Sequence, residues 1–279
     1  MPLRALVFDV DGTLADTERE GHLPACNEAF ARLGYPVRWT WEEFRAMLCI
    51  PGSALRMRLA LSGLKPPVPP EEIAARVAEL VELKGRLYIE KYLPRLPLRP
   101  GVAGLIEEAL ARGVRLAIVS SSRETQIEAL LRHRLGVAAR RFHPVLGQGA
   151  GVKTAPGSPL YRRCVAALGT APAETLAIED SQVGLQAARE AGLPCAVFYN
   201  DYTFGESFAG AALVARSLER FRLDQLAALC LTPEEAGVEA GSACAGGVRA
   251  RKGRVVTREL QAAAAPPAAR RAPLPPWRR

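Results

Sequence analysis

No apolar run in this 279-residue chain approaches the roughly 18 residues of a membrane-crossing helix, so a membrane protein is not expected. The six cysteines (Cys26, Cys49, Cys164, Cys195, Cys230 and Cys244) form no Cys-x-x-Cys pair and show no regular spacing. They read as small buried side chains in a reducing compartment, not as metal knuckles or a redox pair. No segment repeats, which excludes a solenoid. A strand-like run begins near residue 3 and leaves no room for a leader, so a cytoplasmic location is expected. A plastid stroma is the alternative if a targeting peptide is missing from this chain.

The net charge of +8 invites a nucleic-acid partner, but most of it sits in one place. From Pro233 onward nine basic residues face four acidic ones, which leaves +3 for residues 1–232. After about residue 232 the sequence loses periodicity and is rich in Ala, Gly, Pro and Arg. Segment 231–279 is expected to be a disordered tail, because it cannot bury enough apolar surface to offset its ordering entropy. No nucleic-acid partner is expected. The glycine-rich run Gly147-Gln148-Gly149-Ala150-Gly151-Val152-Lys153-Thr154 is similar to a phosphate cradle, but Val152 breaks the Gly-Lys-Thr ending of a P-loop.

What is present begins with Leu6-Val7-Phe8-Asp9-Val10-Asp11-Gly12-Thr13-Leu14. An apolar run that ends in two acids reads as a buried strand whose carboxyl end carries chemistry. Residues 22–34, 41–48, 53–63 and 71–92 then carry helical spacing, followed by a Pro-rich return linker at 93–101. Beyond it strands at 114–119, 144–146, 175–178, 194–198 and 212–215 alternate with helices at 101–112, 123–134, 157–169, 181–191 and 218–229. This pattern predicts a doubly wound α/β fold with a parallel, Rossmann-like sheet. The sheet core comprises 1–15 and 97–230, and a small helical cap comprises 16–96.

Two further motifs fall at strand ends. Ser120, Ser121 and Ser122 follow the 114–119 strand, where hydroxyls and amides at a helix start suit an anion or an ordinary cap. Glu179-Asp180-Ser181 follows the 175–178 strand, where the acids suit a hard cation with Asp9 and Asp11, or simply start a helix.

The ordered set Asp-x-Asp-Gly-Thr, strand-Ser and Ile178-Glu179-Asp180-Ser181-Gln182-Val183-Gly184-Leu185-Gln186-Ala187-Ala188, with a helical insert after the first motif, resembles the haloacid dehalogenase superfamily. Within it the chain is similar to the CbbY-type sugar-phosphate phosphatases. That similarity rests on Thr17 to His22, Asn27, Phe30, Trp39-Thr40-Trp41 and Asn200-Asp201-Tyr202-Thr203. The resemblance implies a Mg²⁺-dependent phosphatase of a small phosphorylated sugar, such as xylulose 1,5-bisphosphate. Asp9 would be the nucleophile and Asp11 the acid and base. Asp9, Asp180 and the Asp11 backbone carbonyl would hold the metal. Ser120 and Ser121 would hold phosphoryl oxygens, with Glu179 and Thr13 in support, and Glu18, His22 and Arg56 would reach the sugar from the cap. A monomer is expected.

The resemblance has a gap. The family's phosphate-binding lysine aligns with Ala155, and the cap loop has Ala54 where a lysine is usual. Lys153 fills the first gap only if its loop is re-routed; Arg123 and Arg162 are the other candidate cations. Two alternatives therefore stand beside the phosphatase: a phosphosugar mutase of the same superfamily, and a non-catalytic phosphosugar-binding relative.

Overall fold

In a computed structural model of the protein, residues 3–50 and 52–230 are described. The expected tail, 231–279, and Cys244 lie outside them. Six strands, β1 (Ala5–Phe8), β2 (Arg115–Val119), β3 (Phe142–Leu146), β4 (Thr175–Glu179), β5 (Cys195–Phe198) and β6 (Leu213–Ala215), form one sheet in the order β3-β2-β1-β4-β5-β6. Every pairing is parallel. The fold is therefore the doubly wound α/β arrangement, and its switch point lies beside β1, where the chain leaves for β2 on one side and β4 on the other.

The sheet follows from its sequence in a direct way. Strands covered on both faces must be apolar at every position, and the residues of β1 are all buried. Their side chains alternate between two cores. Leu6, Phe8, Leu116, Ile118, Leu176 and Ile178 face one layer, with α5 (Val102–Ala111) and α6 (Glu124–Leu135) packed there. Ala5, Val7, Ala117, Val119, Ala177 and Val197 face the other, covered by α7 (Pro159–Leu168) and α8 (Gln182–Glu190).

A helical insert joins β1 to β2. It contains a wide turn at Glu18–His22, then α1 (Leu23–Arg32), α2 (Trp41–Ala46), α3 (Ser53–Ser62) and α4 (Pro70–Leu87), and a second wide turn at Tyr88–Tyr92. The long helix starts on Pro70 with Glu71 and Glu72 in its first turn and ends with Lys84 and Arg86, as the helix dipole favours. Its regular part stops at Leu87, short of the expected 92. The loosened turn beyond is where Tyr88 stacks on His22 and where Lys91 and Tyr92 donate to Glu28.

Two other boundaries differ from expectation. The strand expected at 144–146 begins at Phe142, because β3 is an edge strand and Pro144 need not donate on its open side. The closing helix expected at 218–229 is two pieces, a short turn at Leu218–Arg220 and α9 (Leu223–Ala227). Ser217 accepts from the Glu219 amide and Gln225 from the Arg222 amide, so two local caps replace one continuous helix.

Glu28 ties α1 to the second wide turn. It accepts from Lys91 Nζ at 2.6 Å and Tyr92 Oη at 2.5 Å, and these bonds draw its carboxyl from the ordinary 4.5 down to about 2. A depressed acid stabilises the fold above its unfolded pKa and loses that contribution as pH falls toward its folded one. Glu28→Gln is thus expected to be less stable than wild type at pH 7 in urea unfolding. The gap should shrink steadily as pH drops below about 4.5; a pH-independent gap would contradict this.

Candidate active site

Strand β1 ends at Phe8, and the Asp9 amide donates to the Ile178 carbonyl at 3.0 Å. Asp9 therefore opens into the crevice at the switch point beside the end of β4, which carries Glu179 and leads into Asp180. Carboxylate oxygens of Asp9, Glu179 and Asp180 lie within 4.8 Å of one another, and all three residues are buried. Lys153 Nζ stands 2.6 Å from Asp9 Oδ1 and 2.7 Å from Glu179 Oε1. The Tyr161 hydroxyl donates to the same Glu179 oxygen.

The sequence register left open whether Lys153 reaches this place, and the loop geometry explains how it does. Gly157 (φ +74°) and Ser158 (φ +47°) both adopt left-handed backbone before α7, which turns the chain back on itself. Arg162 secures the bend by donating to the Gly157 and Glu190 carbonyls. Of the three cations considered for the gap at Ala155, Lys153 alone lies against Asp9. Arg162 is spent on this loop and Arg123 is exposed.

Three acids facing one lysine leave the cluster short of positive charge. Burial pushes the Asp9 carboxyl up to about 7; Lys153 pulls against this, while Glu179 and Asp11 add to it. Burial, then the charges of Asp9 and Glu179, raises Asp180 well above the usual range. Burial would discharge Lys153, but Asp9 and Glu179 outweigh it and hold its pKa above the ordinary value. Glu179 Oε2 is buried with no hydrogen-bond partner. An all-oxygen, under-compensated donor set of this kind fits a hard divalent cation.

Asp11 faces a separate group of partners. Thr17 Oγ1 donates to its Oδ1 at 2.5 Å, Ser122 Oγ donates to its Oδ2, and His22 Nε2 lies 3.2 Å from Oδ1. Lys84 Nζ is 2.9 Å from His22 Nδ1, so the imidazole bridges Lys84 and Asp11. Burial opposes ionisation of Asp11, yet the donors His22, Ser122 and Thr17 hold it well below the usual carboxylate range.

The other candidate residues are placed as follows. Ser120 is buried at the end of β2, and its Oγ accepts from the Ser122 amide at 3.1 Å. Ser121 is exposed. Neither serine caps α6, whose N-cap is Arg123. Thr13 Oγ1 and Glu18 Oε2 are buried without partners. Arg56 donates to the Ile50 carbonyl, and its guanidinium lies over the Phe44 ring. The glycine-rich run does not cradle phosphate, since Glu124 occupies the amides of Gly147, Gly149 and Ala150.

Sequence reasoning missed Lys84 and Tyr161 as members of this site; it offered Ser122 only as an anion-binding or capping residue, and Thr17 and Asn200 only as carriers of the family resemblance. Lys84 left a signal: it falls on the buried stripe of α4 formed by Ile73, Val77, Leu80 and Leu87, where a charge is out of place. The pairing of Tyr161 with Glu179 left none, and nothing tied Asn200 to Asp180, because only the fold brings them together.

The parallel sheet, the switch-point carboxylates and the helical insert after the first strand define a haloacid dehalogenase-like hydrolase. The profile of that family matches residues 3–192, and the chain belongs to it. Among particular proteins, it is 39% identical over 236 residues to the protein CbbY of Cereibacter sphaeroides, covering 82% of this chain and 98% of that one. The crystal structure of CbbY from Rhodobacter sphaeroides in complex with phosphate is 37% identical, with a TM-score of 0.70 and coverage of 80% and 99%. An aspartate-to-asparagine variant of that protein, in complex with xylulose 1,5-bisphosphate, matches at 36% identity with the same TM-score.

The raised carboxyls of Asp9 and Asp180 carry a testable consequence. A folded state that binds more protons than the unfolded one loses stability as pH rises through the interval between the two pKa values. For Asp9 that interval runs from 3.8 to about 7. Ion-free protein is expected to melt progressively lower between pH 5 and pH 8, on the order of a few degrees. The rise in Tm on adding MgCl₂ should be larger at pH 8 than at pH 5; equal increments would contradict the metal-site assignment.

Proposed function

We propose that this protein is a Mg²⁺-dependent phosphatase of a phosphorylated sugar, working through an aspartyl-phosphate on Asp9. The observation that carries the reading is the pairing of Asp9 with Lys153 at the switch point, beside Asp180. A nucleophilic carboxylate that must meet a phosphoryl group needs cations to overcome their repulsion. The relationship to CbbY supports a phosphorylated sugar as the substrate class, and xylulose 1,5-bisphosphate is the first compound to test.

In this reading Asp9 attacks phosphorus in line, and the bond from phosphorus to the sugar oxygen breaks. Asp11 delivers a proton to the departing oxygen. A water then attacks the aspartyl-phosphate, Asp11 takes its proton, and inorganic phosphate leaves with Asp9 restored. Lys153 and Ser120 hold phosphoryl oxygens, and Glu179 and Tyr161 hold Lys153 in place. Asp9, Asp180 and the Asp11 carbonyl would hold Mg²⁺, which would supply charge neutralisation at the phosphoryl group. The donors around Asp11 favour its ionised form, the one needed to activate water. Thr17 and His22, both borne by the insert, must draw back before Asp11 can carry a proton for the first half. Residues 16–96 would then act as a mobile cap over a core of 1–15 and 97–230, with Glu18, His22 and Arg56 reaching the sugar.

The test is phosphate release from a panel of sugar phosphates in the presence of Mg²⁺. Wild type is expected to release phosphate, and Asp9→Asn should lose activity by at least about 10³-fold, as loss of a nucleophile does. Release unchanged in Asp9→Asn would overturn the nucleophile assignment. An isomerised sugar phosphate with no free phosphate would point to a mutase instead.

A further inference from the structure

Arg99 lies on the return crossing from the insert to the sheet. The crossing runs beside the turn that carries Asp11. Leu98 bridges to Ala15, the Arg99 amide donates to the Leu14 carbonyl at 2.8 Å, and the Gly12 amide donates to the Ala15 carbonyl at 2.8 Å. From there the guanidinium reaches four backbone carbonyls on three separate segments. It donates to Gly12, to Phe198 at 2.6 Å and Tyr199 at 2.9 Å, and to Arg216 at 3.0 Å. Among the described residues no carboxylate pairs with it. A cation committed wholly to main-chain oxygens is a device for fixing backbone.

The Gly12 carbonyl is where this device meets the site. Asn200 Nδ2 lies 3.5 Å from the same carbonyl and donates to Asp180 Oδ2 at 2.7 Å. Asn200 Oδ1 in turn accepts from the Tyr202 and Thr203 amides, so the side chain is locked into the turn after β5. There is no slack between the parts. A Cβ on Gly12 (φ +83°) would stand 2.2 Å from Asp180 Oδ2 and 2.8 Å from Asn200 Nδ2.

We propose that Arg99 is a positioning residue that, with Asn200, holds the turn carrying Asp11 in register with Asp180. Arg99 grips the Gly12 carbonyl from one side, and Asn200 links that carbonyl to the Asp180 carboxylate from the other. The consequence is a mechanical tie between the return crossing of the insert and the cation end of the acidic cluster. This inference rests on the phosphatase reading for its kinetic readout, but not for its binding readout.

The experiment compares full-length wild type with Arg99→Lys, Arg99→Gln and Asn200→Asp. Three quantities are measured: the Mg²⁺ dissociation constant by calorimetry, and kcat and KM for phosphate release. Both Arg99 variants are expected to lose roughly 10-fold to 100-fold in Mg²⁺ affinity or kcat, with KM for the sugar phosphate within about threefold of wild type. Arg99→Lys should not rescue, because a compact ammonium cannot span three chain segments as a planar fork does. Asn200→Asp keeps the oxygen that caps the turn, but puts an acceptor and a negative charge in place of the donor to Asp180. It reports on the same tie where Arg99→Gln fails to fold, and its kcat should fall. Folded Arg99 variants with Mg²⁺ affinity and kcat within about twofold of wild type would overturn the inference, as would an unchanged Asn200→Asp. Wild type that binds Mg²⁺ but releases no phosphate would instead overturn the phosphatase reading, and the calorimetry would still decide the role of Arg99.

Discussion

The ammonium of Lys153, placed between Asp9 and Glu179 at 2.6 and 2.7 Å, is the contact on which the surrounding chain depends. Three carboxylates buried at one sheet edge repel one another and forfeit hydration, and a single cation among them offsets part of both costs. The neighbouring structure serves that contact. Two residues with left-handed backbone bend the 151–158 loop toward the sheet, and the Tyr161 hydroxyl occupies the Glu179 oxygen that Lys153 shares. Helix α8 begins so close to Glu179 that a Cβ at Gly184 would stand 1.8 Å from Oε2. Removing one partner of a buried pair leaves the other uncompensated, at a cost of about 3–5 kcal/mol. The cluster is therefore an obligation on the fold as well as a site.

Two acids one residue apart end up in different environments. Asp9 is raised toward neutrality by burial, and Asp11 is held ionised by donors that come largely from the insert. Environments that separate the pKa values of neighbouring carboxyls commonly mark a division of labour between them. Here the division follows the topology: Asp9 looks toward groups carried by the sheet and its loops, while Thr17, His22 and Lys84 bring the insert to Asp11.

Most of the fold was legible because a doubly wound sheet writes itself as apolar runs. Each of β1, β2, β4 and β5 is buried on both faces and ends near a residue that breaks the run. Boundaries were less legible where local capping competed with periodicity, as at Ser217 and Arg222, or where an edge position tolerated Pro144. In the site, Asp9, Asp180 and Glu179 were visible as acids at strand ends. The glycine of the last motif, Gly184, acquires a physical reason only from the packing against Glu179. The pairings of Ser122 with Asp11, and of Asn200 and Arg99 with the Gly12 carbonyl, were hidden because each joins separate elements far apart in the sequence. Ala155 suggested a missing cation because sequence register assumes that equivalent side chains leave equivalent positions. A bend at Gly157 and Ser158 delivers the cation from two residues earlier.

The proposed phosphatase chemistry depends on Lys153 as the cation that lets Asp9 meet a phosphoryl group. Its most direct test is kcat for phosphate release by Lys153→Ala against wild type at saturating Mg²⁺. Loss of a cation that stabilises transition-state charge is expected to lower kcat by about 10²–10³-fold. A Lys153→Ala protein that remains folded and turns over within about threefold of wild type would contradict it.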